Sequence, residues 1–215
     1  MIITLYNQKG GVGKSTIAAN LSIKFNQIGK SVLLVDADSQ GSMSDFHKIR
    51  SSRKDRDTFP VNSILTPTLH KDLKKYSFEV IVVDSSARDS MVSRSAVLSS
   101  DVVLIPMKPS GLDFWSTEGL FDFLEEARIG RENLKIIGVL NMVPAKTKIM
   151  EDVLETISEY EKKHHIKFLT SFLGNRLVYS YAMMDGLSVI ESDNKKATDE
   201  FESFFKEFVE VINGS

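Results

Sequence analysis

The stretch Gln8-Lys9-Gly10-Gly11-Val12-Gly13-Lys14-Ser15-Thr16 holds the residue types and spacing that most directly imply chemistry. Glycines at 10, 11 and 13 let the backbone curl until successive N–H groups aim at one anion, and a helix starting there adds the positive end of its dipole. Lys14 then reaches the β- and γ-phosphates of a bound nucleotide, and the Ser15 hydroxyl is placed to ligate Mg²⁺. The usual pattern has glycine six residues before the lysine. Position 8 is instead Gln8, and a second lysine, Lys9, lies inside the loop. A glycine-rich turn that merely contains lysines is the poorer reading, because an apolar run precedes the segment and an amphipathic one follows it.

Two aspartates fall where such a loop needs carboxylates. Asp38 lies in Val35-Asp36-Ala37-Asp38-Ser39-Gln40-Gly41, and Asp84 closes the apolar run Val80-Ile81-Val82-Val83. Open α/β sheets bind ligands at the C-terminal ends of their strands. A carboxylate ending an apolar strand can hold Mg²⁺, generally through a water, which suits Asp84. One on a loop can orient an attacking water, which suits Asp38. Taken singly, either aspartate could equally cap the helix that follows it. Beside the phosphate loop that alternative loses ground.

The elements that must position these groups follow from periodicity. Short β-branched runs alternate with longer stretches of helical period, as expected of parallel strands joined by crossover helices. This predicts strands near 2–6, 31–36, 79–84, 101–106 and 135–141, with a short one near 167–170. Helices are predicted near 14–28, 90–99, 114–128 and 148–163. A last helix presents Phe201, Phe204, Phe205, Phe208 and Ile212 at three- and four-residue spacing, with acids on its other face. The fold class is therefore α/β, a doubly wound, mainly parallel sheet flanked by helices, read as a single domain over 1–215. Segment 48–57 is polar and locally basic and reads as a surface loop or frayed helix end.

Composition narrows the chemistry. The 215 residues include no cysteine, which excludes disulfide scaffolds, Cys-rich zinc sites, iron–sulfur clusters and thiol nucleophiles. Twenty-seven Lys and Arg against 29 Asp and Glu leave a net charge of -2, so nucleic-acid binding would need a local patch. The first residues resemble neither a signal peptide nor a membrane span, and the chain reads as soluble and cytoplasmic.

These residues resemble the ParA/MinD family of deviant Walker A ATPases, whose loop reads Lys-Gly-Gly-x-Gly-Lys-[Ser/Thr]-[Ser/Thr] and stands complete from Lys9 to Thr16. The resemblance continues through Val35 to Gly41, similar to the family's first switch, and through the strand ending at Asp84. Ile105-Pro106-Met107-Lys108-Pro109-Ser110-Gly111-Leu112-Asp113-Phe114 resembles the proline-containing motif of small ParF-like plasmid partition ATPases, which match this chain in length and lack an N-terminal helix-turn-helix domain. The resemblance implies a P-loop NTPase fold and hydrolysis of ATP to ADP and phosphate, with Mg²⁺, in an ATP-sandwiched homodimer. It implies that Lys9 acts in trans on the partner's nucleotide, that Asp38 positions the hydrolytic water, that Ser15 binds the metal directly and that Asp84 supports it from behind. Asn141 matches a position where relatives contact adenine. Ser85-Ser86-Ala87 and Ser39 depart from the prolines common in relatives, so the switch loops match less well than the phosphate loop.

Absences separate the branches that share this loop. Without cysteine, the nitrogenase iron protein, the iron–sulfur carriers and the arsenite-pump ATPases are closed. MinD proteins end in a basic membrane-binding helix, whereas 199–210 here carries five acids and one lysine, which argues against a membrane role. The tyrosine cluster of related bacterial kinases is missing. The partition branch remains, in which the ATP dimer binds DNA without sequence preference, becomes nucleoid-associated, and is stimulated by a centromere-binding adaptor protein. Candidate DNA contacts are Lys146, Lys148, Lys162, Lys163, Arg176, Lys195 and Lys196, with Arg176, Lys195 and Lys196 foremost. The alternatives are a related positioning ATPase for a protein cargo and, less favoured, a P-loop biosynthetic ligase. His164-His165 reads as a solvated helix end rather than a metal site. Phe114 and Trp115 suit a dimer or partner surface as well as a core position.

Overall fold

A computed structural model describes residues 1–110, 118–131, 133–145 and 149–214. Seven parallel strands form one sheet: β1 (Ile2–Leu5), β2 (Val32–Ala37), β3 (Val61–Ser63), β4 (Val80–Ser85), β5 (Val102–Met107), β6 (Lys135–Leu140) and β7 (Lys167–Phe168), in the spatial order β3-β2-β4-β1-β5-β6-β7. The helices are α1 (Lys14–Gln27), α2 (Ser42–Ser52), α3 (Leu69–Leu73), α4 (Met91–Ser99), α5 (Glu118–Ile129), α6 (Ile149–His164), α7 (Leu177–Met184) and α8 (Lys195–Asn213), with a 3₁₀ turn at Val189–Glu191. The doubly wound parallel architecture is the one the alternating periods predict.

Strands buried on both faces need apolar residues at successive positions, and β2, β4 and β5 are buried throughout. Alternate side chains supply two layers. Ile3, Leu5, Leu34, Val82 and Leu104 pack under α1 and the α8 phenylalanines Phe201, Phe204 and Phe208. On the other face Val103, Ile105 and Ile136 meet α5 and α6, while Leu33, Val35 and Val83 meet α3 and α4. The α8 phenylalanines are core, and the acids of that helix brace the protein: Glu207 accepts from the Thr170 and Ser171 backbones, and Glu202 pairs with Lys24.

Three expectations change. Segment 48–57 is not wholly a solvated loop: its first residues complete α2, and Arg50 is 2% exposed, paired with Glu191 through both terminal nitrogens at 2.9 and 3.0 Å. His164 is buried rather than solvated. Its ring stacks on Phe121 at 4.9 Å and Nδ1 lies 2.6 Å from Glu125, while His165 is exposed. The elements β3, α3 and α7, and α2 ahead of residue 48, lie outside the predicted set. Phe114, Trp115, Lys146, Lys148 and the end of the proline-containing motif (111–114) lie outside the described residues.

Candidate nucleotide-binding site

The phosphate loop leaves the end of β1, at the middle of the sheet, and enters α1. Two interactions shape its entry. Asn7, buried where β1 ends, donates through Nδ2 to the Pro106 carbonyl at 2.9 Å and accepts the Lys9 N–H at 2.9 Å. Gly13 then turns the chain into α1 with φ of 92°, a left-handed conformation that disfavours a side chain. A Cβ there would lie 2.2 Å from Asn141 Nδ2, so glycine is required for space as well as for torsion. No side chain caps α1, which leaves the loop's N–H groups available to an anion.

Lys14 curls over this loop, 7% exposed, and its ammonium donates to the carbonyls of Asn7 at 2.9 Å and Lys9 at 3.1 Å. Burial lowers its pKa, opposed by the pull of Asp84 and Asp38. Ser15 and Thr16, in the first turn of α1, are half-buried, and Val12 is buried. Lys9 is half-buried.

The aspartates divide their labour differently from the sequence reading. Capping, the alternative for Asp38 and Asp84, falls to Asp36, which accepts from the Met43 N–H at 3.1 Å, the Ser44 N–H at 3.0 Å and the Ser44 hydroxyl at 3.0 Å. Asp38 instead holds its own loop, its carboxylate accepting the Gln40 N–H at 3.0 Å. Asp84 is fully buried, and among the described residues neither of its oxygens has a hydrogen-bond partner. Burial pushes its carboxyl up to about 7 against the opposing pull of the neighbouring Ser15 hydroxyl; Asp36 and Asp38 add to the rise and Lys14 counters it.

A buried carboxylate with two orphaned oxygens beside a serine hydroxyl fits a hard, oxygen-seeking cation such as Mg²⁺. Among the described residues no cluster of three or more His, Cys, Asp or Glu could hold a metal alone. That suits Mg²⁺, which is generally bound by one or two carboxylates together with nucleotide phosphates.

Asn141 closes the floor of a groove beside the loop. Its Nδ2 donates to the Val12 carbonyl at 2.7 Å and its own N–H donates to Met107 at 2.7 Å. Thr16, Ile17, Met142, Arg176 and Tyr179 line the same groove. The Tyr179 hydroxyl is buried there without a partner among the described residues, and burial raises its pKa. Arg176 meets Glu200 in a two-pronged pair, Nε at 2.8 Å and a terminal nitrogen at 2.5 Å. Lys195 pairs with Asp199 at 3.1 Å, and Lys196 is exposed. The structure thus gathers Lys9 to Thr16, Asp38, Asp84 and Asn141 at one end of the sheet, while Lys195 and Lys196 open α8. Sequence reasoning missed Asn7, whose only local signal is its place between the strand and the first loop lysine, and Tyr179.

A loop of this form on a parallel sheet, facing a buried carboxylate, defines a P-loop nucleotide-binding protein. The family model of the CobQ/CobB/MinD/ParA nucleotide binding domain matches residues 3–176, and the chain belongs to that family. Maintenance of carboxysome distribution protein A of Halothiobacillus neapolitanus is 30% identical over 96% of this chain and 95% of its own length. The sporulation initiation inhibitor protein Soj of Bacillus subtilis is 27% identical, covering 74% of this chain and 79% of its own. Among solved structures, a variant of Cyanothece McdA in complex with ATP superposes with a TM-score of 0.75 at 16% identity, over 99% of this chain and 96% of that one. Among the described residues no helix is long and apolar enough to cross a membrane.

Proposed function

We propose that this protein is a partition ATPase of the small ParF-like type: a single ATPase domain that hydrolyses ATP to ADP and phosphate, dimerises on binding ATP, and moves DNA cargo over the nucleoid. The observation that carries the reading is the phosphate loop, with its two lysines, beside the buried and unpartnered Asp84. Bound Mg²⁺ would supply charge neutralisation of the β- and γ-phosphates, held by Ser15 with Asp84 behind it. Lys14 gives up its two carbonyl contacts to bind the phosphates, and the loop's N–H groups orient them. Asp38, on a loop rather than within a strand, accepts a hydrogen bond from the attacking water and aligns it. The base occupies the groove floored by Asn141. Lys9 reaches the nucleotide of a second copy, and a centromere-binding adaptor stimulates turnover.

DNA contact in this reading draws on Lys196 and on Lys195 and Arg176, whose charges are met in the isolated chain by Asp199 and Glu200. A basic face assembled on dimerisation reconciles DNA binding with a net charge of -2. The test is gel retardation of unrelated DNA fragments together with light scattering. ATP with Mg²⁺ should produce a dimer that retards DNA, and Lys14→Ala should abolish both; full DNA binding without nucleotide overturns the reading. Asp38→Ala should retain ATP binding, lose turnover and trap the dimer, whereas normal turnover removes Asp38 from the mechanism.

A second reading, a positioning ATPase for a protein assembly with the same ATP cycle, is favoured by the near full-length match to the carboxysome distribution protein. Stimulation of ATPase activity by DNA plus a centromere-binding adaptor supports partition. Stimulation by DNA plus an adaptor that binds a protein assembly supports the second reading.

A further inference from the structure

Lys108 sits just past the end of β5, in a motif whose proline signature carries no role in the mechanism above. Its ammonium lies 3.9 Å from the point where a Cβ on Gly11 would stand, against the outer face of the phosphate loop. The main chain that delivers it is fixed from both sides. Asn7 donates to the Pro106 carbonyl, and the Asn141 N–H donates to the Met107 carbonyl. Pro109 follows and restricts the backbone at Lys108 itself. Among the described residues, no carboxylate forms an ion pair with this ammonium, although it is half-buried. The neighbouring Lys14 and Asp36 are by contrast engaged, Lys14 with two carbonyls and Asp36 with four donors.

A lysine held at a glycine of an anion-binding loop, with no anionic partner among the described residues, is placed to meet charge that arrives with the ligand. We propose that Lys108 is a phosphate-binding residue of this site, delivered by β5 rather than by the phosphate loop, and that it favours a nucleoside triphosphate over the diphosphate. The preference follows from charge. The magnesium complex of the triphosphate carries one more negative charge than that of the diphosphate, so an added cation near the loop is worth more to it. The lysine stem is long enough to swing across the exposed backbone of Gly11, where no side chain obstructs it.

This inference rests on the nucleotide reading above, and the experiment separates the two. Binding of a non-hydrolysable ATP analogue with Mg²⁺, and of ADP with Mg²⁺, is measured by calorimetry on the full chain as wild type, Lys108→Gln and Lys108→Arg. Lys108→Gln should weaken the triphosphate about tenfold, the size of one charge-assisted contact, and the diphosphate less than about threefold. Lys108→Arg, which keeps the charge, should stay within about threefold of wild type for both. Should Lys108→Gln lower the unfolding midpoint, Lys108→Met, which keeps the aliphatic stem, replaces it. Unchanged triphosphate affinity in the neutral variant, or equal losses for both nucleotides, overturns the role of Lys108. A wild-type chain that binds neither nucleotide overturns the nucleotide reading itself, and this proposal with it.

Discussion

The ends of β2 and β4 lie side by side, with Asp36 and Asp84 as register partners, and both carboxylates are fully buried. Their surroundings are opposite. After β2 the chain turns at Gly41 into α2, whose first N–H groups point back at Asp36, and the Ser44 hydroxyl joins them. After β4 the chain enters α4, whose N-terminus is capped by its own Ser90, the side chain accepting the Ser93 N–H. That helix end is capped locally and sends no hydrogen bond to Asp84 among the described residues. One aspartate is therefore part of the scaffold, and the other is an unbalanced buried charge that stays costly until a cation arrives. Residue type and strand position are the same; the destination of the next helix's N–H groups separates support from function.

The largest effect that could break this contrast is the pH dependence of the metal-free protein. The folded-state value of Asp84, about 7, lies above the ordinary aspartate value of 3.8. An acid shifted upward costs nothing below its unfolded value and loses stability as pH rises toward its folded value. Between pH 4 and 7 Asp84 should thus cost the chain about 4 kcal/mol in all, with no further change above pH 7. Urea unfolding with chelator present should show wild type falling relative to Asp84→Asn across that window. A constant difference between the two would show that the Asp84 carboxylate is satisfied after all.

Removing the Asp36 carboxylate should destabilise the chain, with a smaller effect. Asp36→Ala strips the Asp38 N–H of its acceptor, together with two N–H groups and a hydroxyl at the start of a helix that carries Met43, Phe46 and Arg50 into the interior. The expected loss is about 3 kcal/mol near pH 7, where Asp84→Asn should be neutral or stabilising. Equal destabilisation by both variants would erase the distinction between the two strand ends.

How much of this was legible depended on how local each cause is. The phosphate loop and the run ending at Asp84 announce themselves because a few adjacent residues dictate their geometry. Asp-Ala-Asp at 36–38 does not say which aspartate faces the helix, since that is decided by the turn at Gly41 and the register of β2 against β4. Arg50 looks solvent-exposed in its basic surroundings, and distant partners, the Gly186 carbonyl and the Glu191 carboxylate 141 residues away, make it a buried residue. A shorter separation, 24 residues, still hides the pairing of Arg176 with Glu200. Three-residue β3 is too short to show a period, and α7, whose Leu177, Tyr181 and Met184 stay largely exposed, carries no polar face to reveal its helical phase.

The finest test of the contrast is at Ser44, which supplies Asp36 with both a backbone and a hydroxyl donor. Ser44→Ala removes only the hydroxyl, and three backbone N–H groups still hold the carboxylate, so the loss should be about 1 kcal/mol. In the Asp36→Ala background the hydroxyl has no acceptor left to lose, and adding Ser44→Ala should cost almost nothing. The coupling energy from that double-mutant cycle should therefore equal the single-mutant loss. The same cycle between Ser90 and Asp84 should give a coupling near zero, because the Ser90 hydroxyl caps α4 and touches neither Asp84 oxygen. A measurable coupling there would mean that the β4 carboxylate leans on its helix as Asp36 does, and that its readiness for a cation has been misjudged.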